Sequence, residues 1–388
     1  MTDGRGKVMV RRGLMLLGVL LAAGCMSSRV EEFAPASYTR GDLFGHRTDN
    51  ASESIVLPPP VAEQVTQLVN ESFAHPTAWT AEAKKEADKR RLHAGHKLYQ
   101  QHCLTCHGKG GAGDGGIALT VSPRPRDFRR GIFKWKSTER TSKPMVDDLV
   151  RTIQRGIPGT AMQGFSRLDK NDVVLLAEFV VYLSQRGEYE RRLLTSYASE
   201  GPLQSELDQR KETPSADDIA EWKELLQETA TDAKESIIHS WKSAGEHVVA
   251  PSIEYPDWAD DSAEGKESIA RGQQLFVGTE TGCSKCHGTD GKGEKNLSPD
   301  QTVDDWGFSN PPRDLTTGAF RGGNDPIDLY RRIHQGIAGS TMPSITGSTK
   351  LTEGDIWDLV RFIKSLTVPA PTGTASQGPA PTGTASTR

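Results

Sequence analysis

Cys103-Leu104-Thr105-Cys106-His107 and Cys283-Ser284-Lys285-Cys286-His287 each place two thiols and an imidazole within five residues. On one helical turn the two sulfurs, three positions apart, face the same way, and the next side chain projects beside them. Such a trio can bond covalently to the two vinyl groups along one edge of a haem while the imidazole meets the iron beneath. Two other chemistries use Cys-x-x-Cys. Half a zinc site needs the two motifs, 180 residues apart, to meet. A dithiol redox site needs a strand-helix-strand setting that neither flank shows. The histidine directly after both motifs favours haem, giving two covalently attached haem c groups on Cys103, Cys106, His107, Cys283, Cys286 and His287.

The flanks repeat as well, so the two halves read as copies of one module. Pro125-Arg126-Asp127, Gly131, Phe133 and Lys134 return as Pro312-Arg313-Asp314, Gly318, Phe320 and Arg321 at an offset of 187. The offset then falls back to 180, where Ile153-x-x-Gly156-Ile157-x-Gly159-Thr160-x-Met162 matches Ile333-x-x-Gly336-Ile337-x-Gly339-Ser340-x-Met342. Asp172 through Leu183 then matches Asp355 through Leu366, with Phe179 over Phe362. Past Cys25 the methionines are Met26, Met145, Met162 and Met342, and only Met162 and Met342 occupy matching glycine-rich positions. Glycine lets backbone approach a flat cofactor closely. A thioether opposite the histidine completes six-coordinate iron, so the axial pairs are His107 with Met162 and His287 with Met342. A single methionine beside an apolar helix is more often core filler, but two in register reverse that reading. His334 is the rival ligand in the second half; its counterpart is Gln154, so a role common to both halves cannot use it.

Helices must position these residues. Glu82 to His102 carries strong helix formers and ends at the first motif, and its Gly95 and Tyr99 are matched by Gly272 and Phe276. Asp169-x-x-Asp172 and Thr352-x-x-Asp355 read as N-terminal caps for two further helices. Their apolar residues recur at helical period: Val173, Leu176, Val180 and Leu183, then Ile356, Leu359, Ile363 and Leu366.

In these motifs each half resembles a class I c-type cytochrome domain, over residues 82–190 and 263–368. The resemblance implies an all-α fold of two tandem helical domains with long loops, joined by a partly helical linker. It implies that the last helix of each domain packs across the first, with Phe179 meeting Gly95 and Tyr99, and Phe362 meeting Gly272 and Phe276. It further implies that a loop proline carbonyl, Pro125 or Pro312 with Pro123 and Pro311 one position away, accepts the proximal imidazole's N–H. Arg126 and Arg313 are read two ways, as forked partners of haem propionates or as solvated loop arginines. The longer stretch between Phe276 and Cys283 makes the lead-in to the second haem less regular.

Ahead of the modules, a basic segment (Arg5, Lys7, Arg11, Arg12), a short apolar run and Leu21-Ala22-Ala23-Gly24-Cys25 resemble a bacterial lipoprotein signal. The resemblance implies removal of residues 1–24 and lipid on Cys25, tethering the chain to the periplasmic face of a membrane. Residues 25–81 read as a tether followed by one helix, from Val61 to Phe73, packed on the first module. Residues 191–262 form an acidic joint, a helical or a solvated spacer with amphipathic stretches at Ile219–Leu226 and Ile237–Trp241. Residues 369–388 repeat Pro-Ala-Pro-Thr-Gly-Thr-Ala-Ser and lack core-forming side chains, so disorder is expected there.

With 388 residues, 35% of them hydrophobic, the chain supports two ordinary domains, and 39 glycines with 22 prolines point to long loops rather than a compact α/β enzyme. No apolar run reaches membrane-spanning length: Leu14 to Ala23 is short, and Val173 to Leu183 carries Glu178. Net charge is +7 over residues 82–190, −9 over the joint and −2 over 263–368. That polarity either steers different partners to each module or lets the basic module rest on the acidic joint. No recognition helix accompanies the basic run from Arg124 to Lys136, so nucleic acid is not a partner.

These features point to an electron carrier and not an enzyme. Its redox partners would be a quinol-oxidising complex or a dehydrogenase on one side and a terminal oxidase or reductase on the other. The rivals are a di-haem peroxidase, which needs an open iron face and an acid-base group, and a subunit bound permanently in a respiratory complex.

Overall fold

The computed structural model describes residues 38–39, 42–43, 54–73, 86–294, 296–346 and 350–367. The lipoprotein segment with Cys25 and the tail 369–388 lie outside the described residues. Eleven principal helices are labelled here: α1 (Pro59–Ser72), α2 (Glu86–His102), α3 (Leu104–His107), α4 (Val146–Arg155), α5 (Lys170–Glu200), α6 (Gln204–Arg210), α7 (Ala216–Lys242), α8 (Ala263–Val277), α9 (Cys283–His287), α10 (Pro326–Gln335) and α11 (Glu353–Ser365). Pairing between extended segments among the described residues is confined to isolated bridges, so the fold is all-α. None of the described helices is long and apolar enough to cross a membrane.

Each lobe is built on one helix crossing. In the first, α2 crosses α5 at Gly95, where a Cβ would strike the Leu175 carbonyl and sit 3.0 Å from the Phe179 Cβ. Glycine is what lets the two backbones approach this closely. Tyr99 then meets Phe179 with ring centroids 5.1 Å apart. In the second lobe Gly272 faces the Asp358 carbonyl and the Phe362 Cβ, and Phe276 meets Phe362 at 5.3 Å. The glycine-aromatic pairing that the family resemblance implies is present in both lobes. The caps are present too: the Asp169 side chain accepts from Asn171 N, and Thr352 forms a reciprocal cap with Asp355. A cap of this kind contributes about 1 kcal/mol.

The first lobe is larger than its repeat. Helix α5 crosses residue 190 without a break, because Tyr189, Leu193 and Tyr197 continue the buried stripe at four-residue spacing. Helix α7 starts at the Ser215 cap and buries Leu226, Ala230, Ala233, Ile237 and Trp241, a stripe at helical period. It packs along α5 and α1 in one hydrophobic core, so this part of the joint is neither free nor solvated. Helix α1 closes the same core through Val61, Val65, Leu68 and Val69. The second lobe has its own smaller core around Phe276, Trp357, Leu359 and Phe362. The chain between the lobes is pinned to the second by Arg361, 2% exposed, which donates to the carbonyls of Pro256 and Trp258 and pairs with Asp260.

Candidate haem sites

Helices α3 and α9 are single turns that carry the two motifs, each ending at a glycine with positive φ, Gly108 at 76° and Gly288 at 69°. That conformation turns the chain back across the motif: Gly113 N donates to the His107 carbonyl at 2.9 Å, and Gly293 N to the His287 carbonyl at 2.8 Å. The returning loop then closes on itself, with Phe128 N and Leu315 N donating to Gly111 and Gly291 carbonyls, both at 2.7 Å. The two motifs therefore share these loop-closing bonds, despite the longer lead-in to the second.

This loop fixes the imidazoles. His107 Nδ1 lies 3.0 Å from the Arg126 carbonyl and His287 Nδ1 lies 3.3 Å from the Arg313 carbonyl. With the proton on Nδ1 donated there, Nε2 keeps a free lone pair for a metal. The expected acceptors, Pro125 and Pro312, are displaced by one position. Their carbonyls instead face Gly113 and Gly293, where a Cβ would come within 2.6 and 3.1 Å. Phe128 stacks on His107 at 4.6 Å and holds the ring plane. Burial lowers the His107 imidazole to about 4 and lowers His287 as well, keeping both in the neutral, ligating form.

The four motif cysteines are unbridged and half-buried. Burial pushes the Cys103 thiol up to about 12 and the Cys283 thiol upward, the reverse of what a reactive dithiol needs. Among the described residues no three His, Cys, Asp or Glu side chains converge as a metal site, so the two Cys pairs do not combine around zinc. Of the chemistries open to Cys-x-x-Cys-His, covalent haem attachment fits this donor set.

The two methionine loops also superimpose in their bonding. Helices α4 and α10 end at Gly156 and Gly336, with φ of 71° and 69°. A Cβ on either would strike the backbone of the returning strand, 2.5 Å from Gln163 C or Pro343 C. Ile157 N donates to the Met162 carbonyl at 2.9 Å, and Ile337 N to the Met342 carbonyl at 3.2 Å. Thr160 and Ser340 hydroxyls accept from Met162 N and Met342 N. Both methionine side chains are half-buried. Met145 packs against Gly245 instead, and the rival His334 ring stacks on Tyr330 at 5.7 Å.

Residues 90–180 match the family described as Cytochrome C oxidase, cbb3-type, subunit III, and residues 269–367 match the family described as Cytochrome c. The chain contains two c-type cytochrome domains in tandem. Haem-based electron transfer between redox proteins is the role that such domains imply. A solved chain from the reducing HAO-like protein complex of Kuenenia stuttgartiensis aligns over 71% of this chain and 96% of its own, at 24% identity and a TM-score of 0.48. No curated protein matches the sequence.

The cytochrome domains meet through charge that sequence reading left unassigned. Lys134 and Asp304 form a 2.9 Å ion pair, 9% and 7% exposed, and Arg151 and Arg155 approach Asp328 at 3.8 and 3.6 Å. Part of the first domain's positive charge is thus turned toward acidic residues of the second rather than toward the joint. The Arg126 guanidinium lies over the Trp306 ring at 3.5 Å, and burial lowers it to about 10. Arg313 and Arg321 each bury an Nε with no hydrogen-bond partner. Arg126 is thus not a solvated loop arginine, and Arg313 is half-buried. A buried Nε without an acceptor, as in Arg313 and Arg321, fits an anionic group that binds beside it.

Proposed function

We propose that the chain is an exported electron carrier holding two haem c groups, one in each cytochrome domain, the first extending past residue 190 along its last helix. The observation that carries this reading is the twice-built donor set: Cys-x-x-Cys-His on one turn, with the imidazole Nδ1 anchored on the backbone carbonyl of Arg126 or Arg313. When bound, haem iron supplies one-electron cycling between ferrous and ferric states. Cys103 and Cys106, and Cys283 and Cys286, hold the cofactor through thioether bonds, so a small domain does not lose it. His107 and His287 would ligate the iron through Nε2, and Met162 and Met342 would supply a thioether donor that keeps other molecules off it. Arg126 and Arg313 would pair with the carboxylates of the cofactor. Lipid on Cys25 anchors the chain to the periplasmic face of a bacterial membrane. Its partners are redox proteins, a quinol-oxidising complex or dehydrogenase as donor and a terminal oxidase or reductase as acceptor.

Carbon monoxide separates this from a di-haem peroxidase. The fully reduced carrier binds it at well below one per protein and turns over peroxide slowly. Stoichiometric binding at either haem would show an open iron face and replace the carrier with the enzyme.

A further inference from the structure

We propose that Arg140 is a positioning residue through which the first domain holds the axial methionine loop of the second. The inference rests on Met342 being the second haem's ligand. Arg140 Nη1 donates to the Met342 carbonyl at 2.6 Å and its Nη2 donates to the Ser340 carbonyl at 2.8 Å. One planar guanidinium therefore spans two residues of the loop, a fork that a lysine cannot reproduce. Inside that loop the Ile337-to-Met342 and Met342-to-Ser340 bonds are 3.2 and 3.3 Å, against 2.9 and 3.1 Å for their counterparts at Met162.

Arg140 is itself held in place. The segment 136–142 folds around the Lys136 ammonium, which donates to the carbonyls of Glu139, Arg140 and Ser142 and is 2% exposed. The Lys136 carbonyl in turn accepts from Arg332 and Gln335 on α10, the helix that leads into the Met342 loop. Glu139 N donates to His247 O and Val249 N to Ser137 O, which brace the segment from behind. So one loop of the first domain grips both the helix before Met342 and the carbonyl of Met342.

The second module has no counterpart of this device. Between Lys134 and Ile153 the first module is longer than the second between Arg321 and Ile333, and the change of offset from 187 to 180 falls there. The extra chain holds Lys136 and Arg140. The reverse contact differs in kind: Arg313 lies beside Gly159 of the first methionine loop, where a Cβ would sit 3.1 Å from its Nη2.

The test uses imidazole, which displaces a loosely held axial methionine from ferric iron. In holoprotein carrying Met162→Ala, the remaining far-red thioether-to-iron band belongs to the second haem alone. Arg140→Ala in that background should raise the second haem's apparent affinity for imidazole by about tenfold, equivalent to about 1.4 kcal/mol. Arg140→Lys should recover only part of the change. In a Met342→Ala background, the same Arg140→Ala should leave the first haem's band and imidazole affinity unaltered. Equal affinity with and without the guanidinium, or equal loosening of both haems, overturns the clasp. A Met342→Ala single variant that keeps both far-red bands overturns the ligand assignment instead. If Arg140→Ala does not fold, Arg140→Lys and Arg140→Gln carry the measurement, and wild-type imidazole affinity in both sinks the idea.

Discussion

The two domains share one haem scaffold and differ in what surrounds it. The first is braced on its own side by α1, the extended α5 and α7, which add Leu68, Tyr197, Leu226 and Ile237 to its core. The second has a small core and takes part of its order from outside, from Arg140 at its methionine loop and Arg332 reaching back to Lys136. A repeat thus conserves the chemistry of its donors while the means of holding them diverge.

The largest break in that comparison comes from the buttress. Leu226 is fully buried between α7 and the first core, and Leu226→Ala removes its packing at about 2 to 5 kcal/mol. Hydrogen exchange read peptide by peptide should show α2 and α5 losing protection while α8 and α11 keep theirs. Equal loss in both lobes would mean that they unfold as one unit. A smaller effect comes from making the first domain resemble the second. The Tyr99 hydroxyl donates to the Gly108 carbonyl at 2.8 Å beside the first motif, and Phe276 at the matching position has no hydroxyl. Tyr99→Phe should cost about 1 kcal/mol, measured as a lowered melting temperature of the holoprotein. A loss several times larger would show that the hydroxyl also supports the haem motif.

Much of the site was legible because its signals are local or repeated. The crossings of Gly95 with Phe179 and of Gly272 with Phe362 were legible through the family resemblance, and the structure supplies their physical reason, since glycine lets two helices approach this closely. The glycine-rich methionine segments were legible because two copies in register separate a shared role from core filling. The imidazole acceptor was missed by one residue, since which carbonyl turns inward depends on loop dihedrals that no residue type dictates here. The length of α5 was recoverable in principle, because Tyr189, Leu193 and Tyr197 continue its stripe. The domain contact was not. The change of offset marks where the two modules differ in length after Lys134, but Arg140 and Arg332 carry no sign of the carbonyls they reach, and Asp304 none of Lys134.

The axial methionines are the assignment on which carrier chemistry depends, and a redox titration followed in the visible spectrum tests them most directly. Met162→Ala and Met342→Ala should each abolish the far-red band of one haem and lower that haem's potential while leaving the other unchanged. Wild-type spectra and potentials in both variants would contradict the account.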